Sequence, residues 1–293
     1  MDFLNQVFSE NQVFAWETRI ADWFFYASIL FLLFELVRLL VRKSLNWQVI
    51  GDTVTNFVTF FAFFISNILV LGIFYVGAYY LIYEYLSIAR IPITPWSIAL
   101  CVVAADFAYY WEHRFTHRVG FGWATHTVHH SSPYFNISVA YRFGPIDGII
   151  PLFFHAPLAL IGFHPLLIVF SETMVQIYQT ALHTEVIGKL PKPVEAVMNT
   201  PSHHRVHHGS NPQYHDKNYA GMFIVWDRLF GTFEEEREKV VYGITKPLNS
   251  VNPITVFFHG FARLYRQIAD ARDARTAFGY LLRPPGWTPQ AKG

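Results

Sequence analysis

A single cysteine, Cys101, stands in the whole chain. Its isolation excludes an intramolecular disulfide and any thiolate-rich zinc or iron–sulfur site; within an apolar run it reads as a small buried hydrophobe. Charge is scarce as well, at 15% of residues with a formal net charge of +1 when histidine is neutral. That balance offers no sustained basic field for nucleic acid and no acidic tail of the kind that stays disordered. The opening stretch MDFLNQVFSENQVFAWETRIAD lacks a basic region ahead of a cleavable apolar core, so no signal peptide is expected. No internal repeat or low-complexity tract is evident, and the end, RPPGWTPQAKG, reads as an irregular terminus.

What the chain has in excess is apolar and aromatic surface. It is 53% hydrophobic and 18% aromatic, with 29 Phe in 293 residues, more than an ordinary soluble domain carries. The expectation is an integral membrane protein whose partners are the bilayer and lipid or other apolar molecules. Residues 23–41 are long enough to cross a bilayer core of ~30 Å at ~1.5 Å per residue. They end in Arg38, Arg42 and Lys43, which the positive-inside rule assigns to the cytoplasm. Glu35 and Arg38, three apart on one helix face, are expected to pair. Residues 54–86 are too long for one upright helix, leaving one tilted span with an extension or a hairpin near Gly72. Residues 96–112 form a third apolar segment, and 146–182, broken at GFHP (162–165), can go across and come back as two short helices.

With 54–86 taken as one crossing, the chain returns by His113 to the side of Arg38–Lys43, and the 146–182 excursion delivers His183 there too. The expected fold is therefore all-α and membrane-integral: about four to five transmembrane helices with a histidine-rich, metal-binding helical cap on the cytoplasmic face. Residues 1–95 would be N-terminal transmembrane helices. Residues 96–293 would be the catalytic domain, with membrane helices and cap.

Fourteen histidines are unevenly spread, and 23–86 contains none. His113 and His117, in WEHRFTH, stand i, i+4 and lie about 40° apart on one helix face. His126, His129 and His130, in HTVHH, and His204, His207 and His208, in HRVHH, repeat an i, i+3, i+4 pattern that aims three imidazoles to one side. His183, at the end of the last apolar block, is a candidate ninth ligand. His203, four residues before His207, is an alternative to His204.

One such pair is a weak signal; three clusters in one chain are a strong one for metal. Eight or more imidazoles exceed what a four- to six-coordinate ion uses, so two metals are implied. Imidazole suits iron, zinc, copper and nickel, and histidine-bound dinuclear iron at a membrane surface points to O2 activation. Asp106, Glu185, Asp216 and Asn218 are candidates to accept N–H bonds from ligand imidazoles, with a turn contact as an equal alternative for Asp216 and Asn218. His155, His164, His215 and His259 read as structural, and Gly231 as a helix stop. Two non-enzyme readings fit less well. A metal transporter would spread its histidines at mid-membrane depth, and a haem protein needs only two axial ligands per haem.

The boxes H-x3-H at 113–117 and H-x2-HH at 126–130 and 204–208, framed by apolar helices, resemble the fatty acid hydroxylase/sterol desaturase superfamily. Stretches such as DFAYYWEHRFTH, THTVHHSSPYFN and WDRLFGTF are similar to its ether-lipid-cleaving branch, over roughly residues 100–290. The resemblance implies two non-haem irons held by the eight box histidines and O2 as oxidant. It also implies hydroxylation of the carbon next to an ether oxygen, with collapse to a fatty aldehyde and glycerol. Sterol desaturation and fatty acyl or carotenoid hydroxylation are the competing chemistries of the superfamily. Arg118 stands where that branch carries an acidic residue after the second histidine, which leaves the reductant between a tetrahydropterin and an electron-donor protein.

Overall fold

A computed structural model describes residues 6–70 and 72–289, and every regular element among them is helical; one isolated bridge pairs Gly209 with Tyr242. The all-α expectation holds. Twelve α-helices follow in order: α1 (Glu10–Val41), α2 (Trp47–Val70), α3 (Gly72–Leu86), α4 (Pro95–Arg118), α5 (Gly120–His130), α6 (Ile150–Ile161), α7 (Pro165–Leu182), α8 (Lys192–Val197), α9 (Pro201–His207), α10 (Val225–Phe230), α11 (Pro253–Ala269) and α12 (Ala274–Leu282).

Local chemistry sets the helix starts. Ser9 with Gln12 closes a capping box on α1, and Thr94 with Ser97 does so on α4, where Pro95 takes the first turn at no hydrogen-bond cost. His164 caps α7 by accepting from the Leu166 amide, with Pro165 behind it. Gly231, at φ 73°, ends α10 in the left-handed conformation expected of it.

Pairwise contacts fix the direction of each helix. Along α1, Glu10 reaches His164, Glu17 meets Thr173 and Glu35 meets Thr184, so α1 and α7 run in the same sense. On α3, Tyr79 bonds Glu172 while Tyr83 packs on His164, so α3 runs opposite to α7. On α2, Asp52 and Asn56 lie beside Arg142 and Phe63 stacks on Phe143, and the chain leaves that end as it proceeds. Segments α2 and α3 therefore continue in one direction along the bundle; residue 71, between them, lies outside the described residues. Helices α1, α4 and α7 deliver their C-termini to one end of the bundle, where α5, α9 and α11 close over them. The shared end expected for Arg38–Lys43, His113 and His183 is what this topology gives.

Among the described residues two helices, Glu10–Val41 and Trp47–Asn67, are long and apolar enough to cross a bilayer by themselves. Helices α3 and α6, of 15 and 12 residues, reach only ~22 Å and ~18 Å at ~1.5 Å per residue, short of a ~30 Å core. Trp23, Tyr26, Leu30, Leu33 and Val37 leave an exposed apolar face along α1, of the kind that marks a lipid or protein contact. Cys101 is fully buried, as expected of it.

A buried polar knot ties α2 to the histidine-bearing α5. Arg142, fully buried, donates to Asp52 (2.9 Å), Asn56 (2.7 Å), the Val128 carbonyl (2.9 Å) and Ser131. Ser132 closes the other side of Asp52 at 2.6 Å. A buried guanidinium stripped of its carboxylate has no water to replace it, so Asp52→Ala should cost about 3–5 kcal/mol. Thermal unfolding in detergent measures this, and an unchanged midpoint would refute the role given to the knot.

Candidate metal centre

The box histidines sit where helix ends converge. His113 and His117 end α4, His126, His129 and His130 end α5, His183 caps α7, and α9 carries His204 and His207 with His208 at its C-cap. Their side chains form two groups. His113, His117, His126, His130 and His207 make one; His129, His183, His204 and His208 make the other, and within each the ligand atoms lie within 4.8 Å of one another.

Helical spacing explains the partition. The i, i+4 pairs within the boxes stay together (113/117, 126/130, 204/208), whereas the i+3 member of each triple crosses to the other group. Residues four apart differ by about 40° around the helix and residues three apart by about 60° in the opposite sense, so one short helix can serve two ions. The three imidazoles of a box therefore do not aim at one point, as the spacing alone suggested. His183 is the fourth member of the second group. His203 belongs to neither: its ring faces Glu195, 3.6 Å away, and packs on Phe233.

The donor chemistry fits metal ions. The Nδ1–H groups of His113, His207 and His183 donate to the carbonyls of Tyr219 (2.8 Å), Lys217 (3.0 Å) and Gln179 (2.9 Å). Each of those rings then presents an unprotonated Nε2 inward. Nε2 atoms approach in the first group at 3.1 Å (His113–His126) and 3.1 Å (His207–His130), and in the second at 2.9 Å (His204–His183) and 3.2 Å (His183–His129). Lone pairs facing at that distance repel unless a cation lies between them. Two nitrogens at right angles about an ion, with bonds of about 2.1 Å, are separated by about 3 Å. His117 Nε2 is buried without any hydrogen-bond partner, the condition of a ligand atom awaiting its ion.

Backbone carbonyls, not carboxylates, orient these imidazoles, which corrects the roles expected for four acidic or amide side chains. Asp106 accepts from the Met222 and Phe223 amides and from the Trp226 indole (2.8 Å). Glu185 accepts from the Tyr242 hydroxyl at 3.1 Å. Asp216 pairs with Arg118, and Asn218 bonds the His203 and Glu234 carbonyls and the Glu234 amide.

None of the four touches a ligand ring; three of them act on the loop that does. Asp216 and Asn218 take left-handed φ of 59° and 56°, on either side of the Lys217 carbonyl that holds His207. Asp227 grips the Tyr219 and Ala220 amides at 2.8 Å each. Gly221 leaves room for Asp106, whose Oδ1 a Cβ would meet at 2.4 Å. Sequence reasoning missed Tyr219 and Gln179, whose carbonyls carry no residue signature, and Asp227, whose carboxylate acts on main-chain amides.

Two openings reach the histidines. A cavity of about 330 Å³ touches His113, His126, His129 and His183. It shares Phe60, Tyr109, Glu112, Pro151 and Gln176 with one of about 560 Å³, whose walls include Phe24, Phe25 and Phe64. From the opposite side a cleft of about 210 Å³, lined by Lys246 and Arg263, reaches His117, His130, His207 and His208.

The fatty acid hydroxylase family model matches residues 98–232, a span containing all nine clustered histidines. That segment belongs to the fatty acid hydroxylase family. It is similar to alkylglycerol monooxygenase of Homo sapiens, 43% identical over 196 residues that cover 67% of this chain and 44% of that protein. The same enzyme of Danio rerio is 39% identical over 214 residues, 73% of this chain and 48% of that protein. Likeness to lathosterol oxidase of Homo sapiens is lower, 27% over 139 residues, covering 47% and 45%. The chain thus spans less than half the length of these relatives. No solved structure matches it.

Truncation distinguishes ligand from neighbour. His183→Ala should strip bound metal as fully as His204→Ala, while His203→Ala keeps it; metal analysis of the purified variants decides, and metal retained in His183→Ala would remove that residue from the set.

Burial and neighbouring imidazoles depress the pKa of His126 to about 3, and burial that of His207 to about 4, from an ordinary 6.5. Below about 6.5 the unfolded chain takes up protons that the folded chain refuses until about 4. Stability of the metal-free protein is therefore intact above pH 6.5 and should fall steadily as pH drops toward 4. A melting midpoint flat across that window would contradict the burial of neutral imidazoles.

Proposed function

We propose that this chain is a membrane-bound non-haem di-iron lipid monooxygenase that hydroxylates an alkyl chain, with an ether lipid of the alkylglycerol type as substrate. The observation that carries the reading is the pair of convergent all-imidazole groups, of five and four donors, at the inner end of an aromatic-walled cavity. Similarity to alkylglycerol monooxygenases at up to 43% identity supports the ether-lipid substrate over the sterol chemistry of the more distant relatives.

Iron held by the two groups would supply O2 activation and insertion of one oxygen atom into the C–H bond beside an ether oxygen, giving a hemiacetal that separates into fatty aldehyde and glycerol. The second oxygen atom leaves as water, which requires two electrons and two protons from a reductant, a tetrahydropterin or an electron-donor protein. The residues have separate tasks. Nine imidazoles hold the ions, the carbonyls of Lys217, Tyr219 and Gln179 fix three of the rings, and Phe60 and Tyr109 wall the path by which an alkyl chain enters. The Lys246–Arg263 cleft leaves the opposite side of the histidines open to the reductant.

The same reading includes a multi-pass topology of four to five crossings. Helices α4 and α7 would cross with Asp106 and Glu172 turned into the bundle, as ionisable groups within a bilayer must be, and the histidine end would face the cytoplasm with Arg38–Lys43. The N-terminal region 1–95 would serve as anchor and residues 96–293 as the catalytic unit.

Purified protein should contain about two irons per chain without a haem absorption band. Given a reductant, it should release aldehyde from alkylglycerols in a panel that also holds sterols and fatty acyl lipids. His207→Ala should abolish turnover and lower bound iron. Zinc without turnover, a haem spectrum, or full activity in that variant would overturn the reading.

A further inference from the structure

The cavity beside the histidines is not uniformly apolar. Glu112, adjacent in sequence to His113, is buried, lines both joined voids, and leaves its Oε2 without a hydrogen bond. The nearby His155 Nδ1 stands 3.6 Å from it and bonds the Pro151 carbonyl at 3.0 Å instead. Across the same void Gln179 is buried with its Nε2 unpaired, although its own carbonyl orients His183. A buried acceptor and a buried donor left open are costly unless something brought into the cavity satisfies them. Neither void is lined by Lys or Arg, so no cation is present to receive a phosphate.

We propose that Glu112 Oε2 and Gln179 Nε2 form a subsite for the neutral, hydroxyl-bearing head of the lipid. A hydroxyl donates to Glu112 and a second oxygen accepts from Gln179, while the alkyl chain extends between Phe24, Phe25 and Phe64. This specificity rests on the monooxygenase reading above, and it explains how one carbon of a featureless chain is presented to the histidines. The chain itself offers no polar handle, so register along it is set where the head is held. A site built to bond hydroxyls rejects an analogue without them far more strongly than an apolar pocket rejects a missing methylene.

The test compares three lipids: 1-O-hexadecylglycerol, its 2,3-di-O-methyl ether and its 3-phosphate. Binding to purified protein is measured without oxygen or reductant, and KM and kcat are measured with both. Wild type should prefer the free diol to either analogue by at least about tenfold. Glu112→Leu should weaken diol binding and raise its KM about 10- to 100-fold, leave the dimethyl ether unchanged, and retain iron. Gln179→Leu should retain iron and weaken the diol and the dimethyl ether alike, since a methyl ether oxygen still accepts from its N–H. Two variants on different helices guard against one failing to fold.

Equal binding of all three lipids by wild type overturns the proposal. So does equal loss of affinity for the diol and its dimethyl ether in folded Glu112→Leu, or unchanged diol affinity in folded Gln179→Leu. Absence of aldehyde from every lipid defeats the monooxygenase reading alone, because the binding comparison still decides the subsite.

Discussion

Nine neutral imidazoles, seven of them buried, pointing nitrogen lone pairs at one another within a few ångströms are the constraint on which this structure depends. Neutral rings keep their single proton on Nδ1 only if something accepts it there, and three rings use main-chain carbonyls for the purpose. A carbonyl can be aimed only by fixing the backbone that bears it. The loop 216–223 is held by Asp106, Asn218 and Asp227, and box three is tied down by Arg205, which bonds Glu236 and the Thr184 and Ile187 carbonyls. Convergence of α1, α4 and α7 on one end of the bundle is the large-scale expression of the same demand.

Buried carboxylates divide into two kinds. Most are saturated by the scaffold: Glu195 accepts from the Leu190 amide and from Thr200 and Ser202, and Glu35 accepts from the Ile137 amide and Thr184. These spend their acceptors on loops that position histidines. Glu112 stands apart, in the cavity with one oxygen unbonded. The contrast separates groups that build the site from a group that faces its contents. The two openings match a reaction with two partners of opposite character, aromatic walls on the bundle side and Lys246 with Arg263 on the cap side.

Much of the site was legible in the chain because metal ligation by helices leaves a periodic trace. The i, i+4 pairs 113/117, 126/130 and 204/208 named their own companions, and His183 stood at the end of an apolar block. Less was legible where the decisive partner is remote or nameless. Glu35 was expected to pair with Arg38, three residues away, yet its hydrogen bonds go to residues 102 and 149 positions along the chain. Residues 54–86 offered a break near Gly72 but not whether the chain doubles back there, since both halves are equally apolar; contacts of α2 with Arg142 and Phe143 and of α3 with α7 set their common direction.

Composition and spacing by themselves determined an all-helical, apolar chain carrying three histidine boxes, because turn geometry and the scarcity of charge and thiol are properties of the polymer. Only the tertiary structure decided which histidine serves which group, that His203 is a bystander, and that Asp106, Glu185, Asp216 and Asn218 leave the rings alone. The reason is that a ligand is defined by where its lone pair ends in space. That place is fixed jointly by helix ends distant in the chain, from Arg118 to His207, and by carbonyls whose identity no side chain reveals.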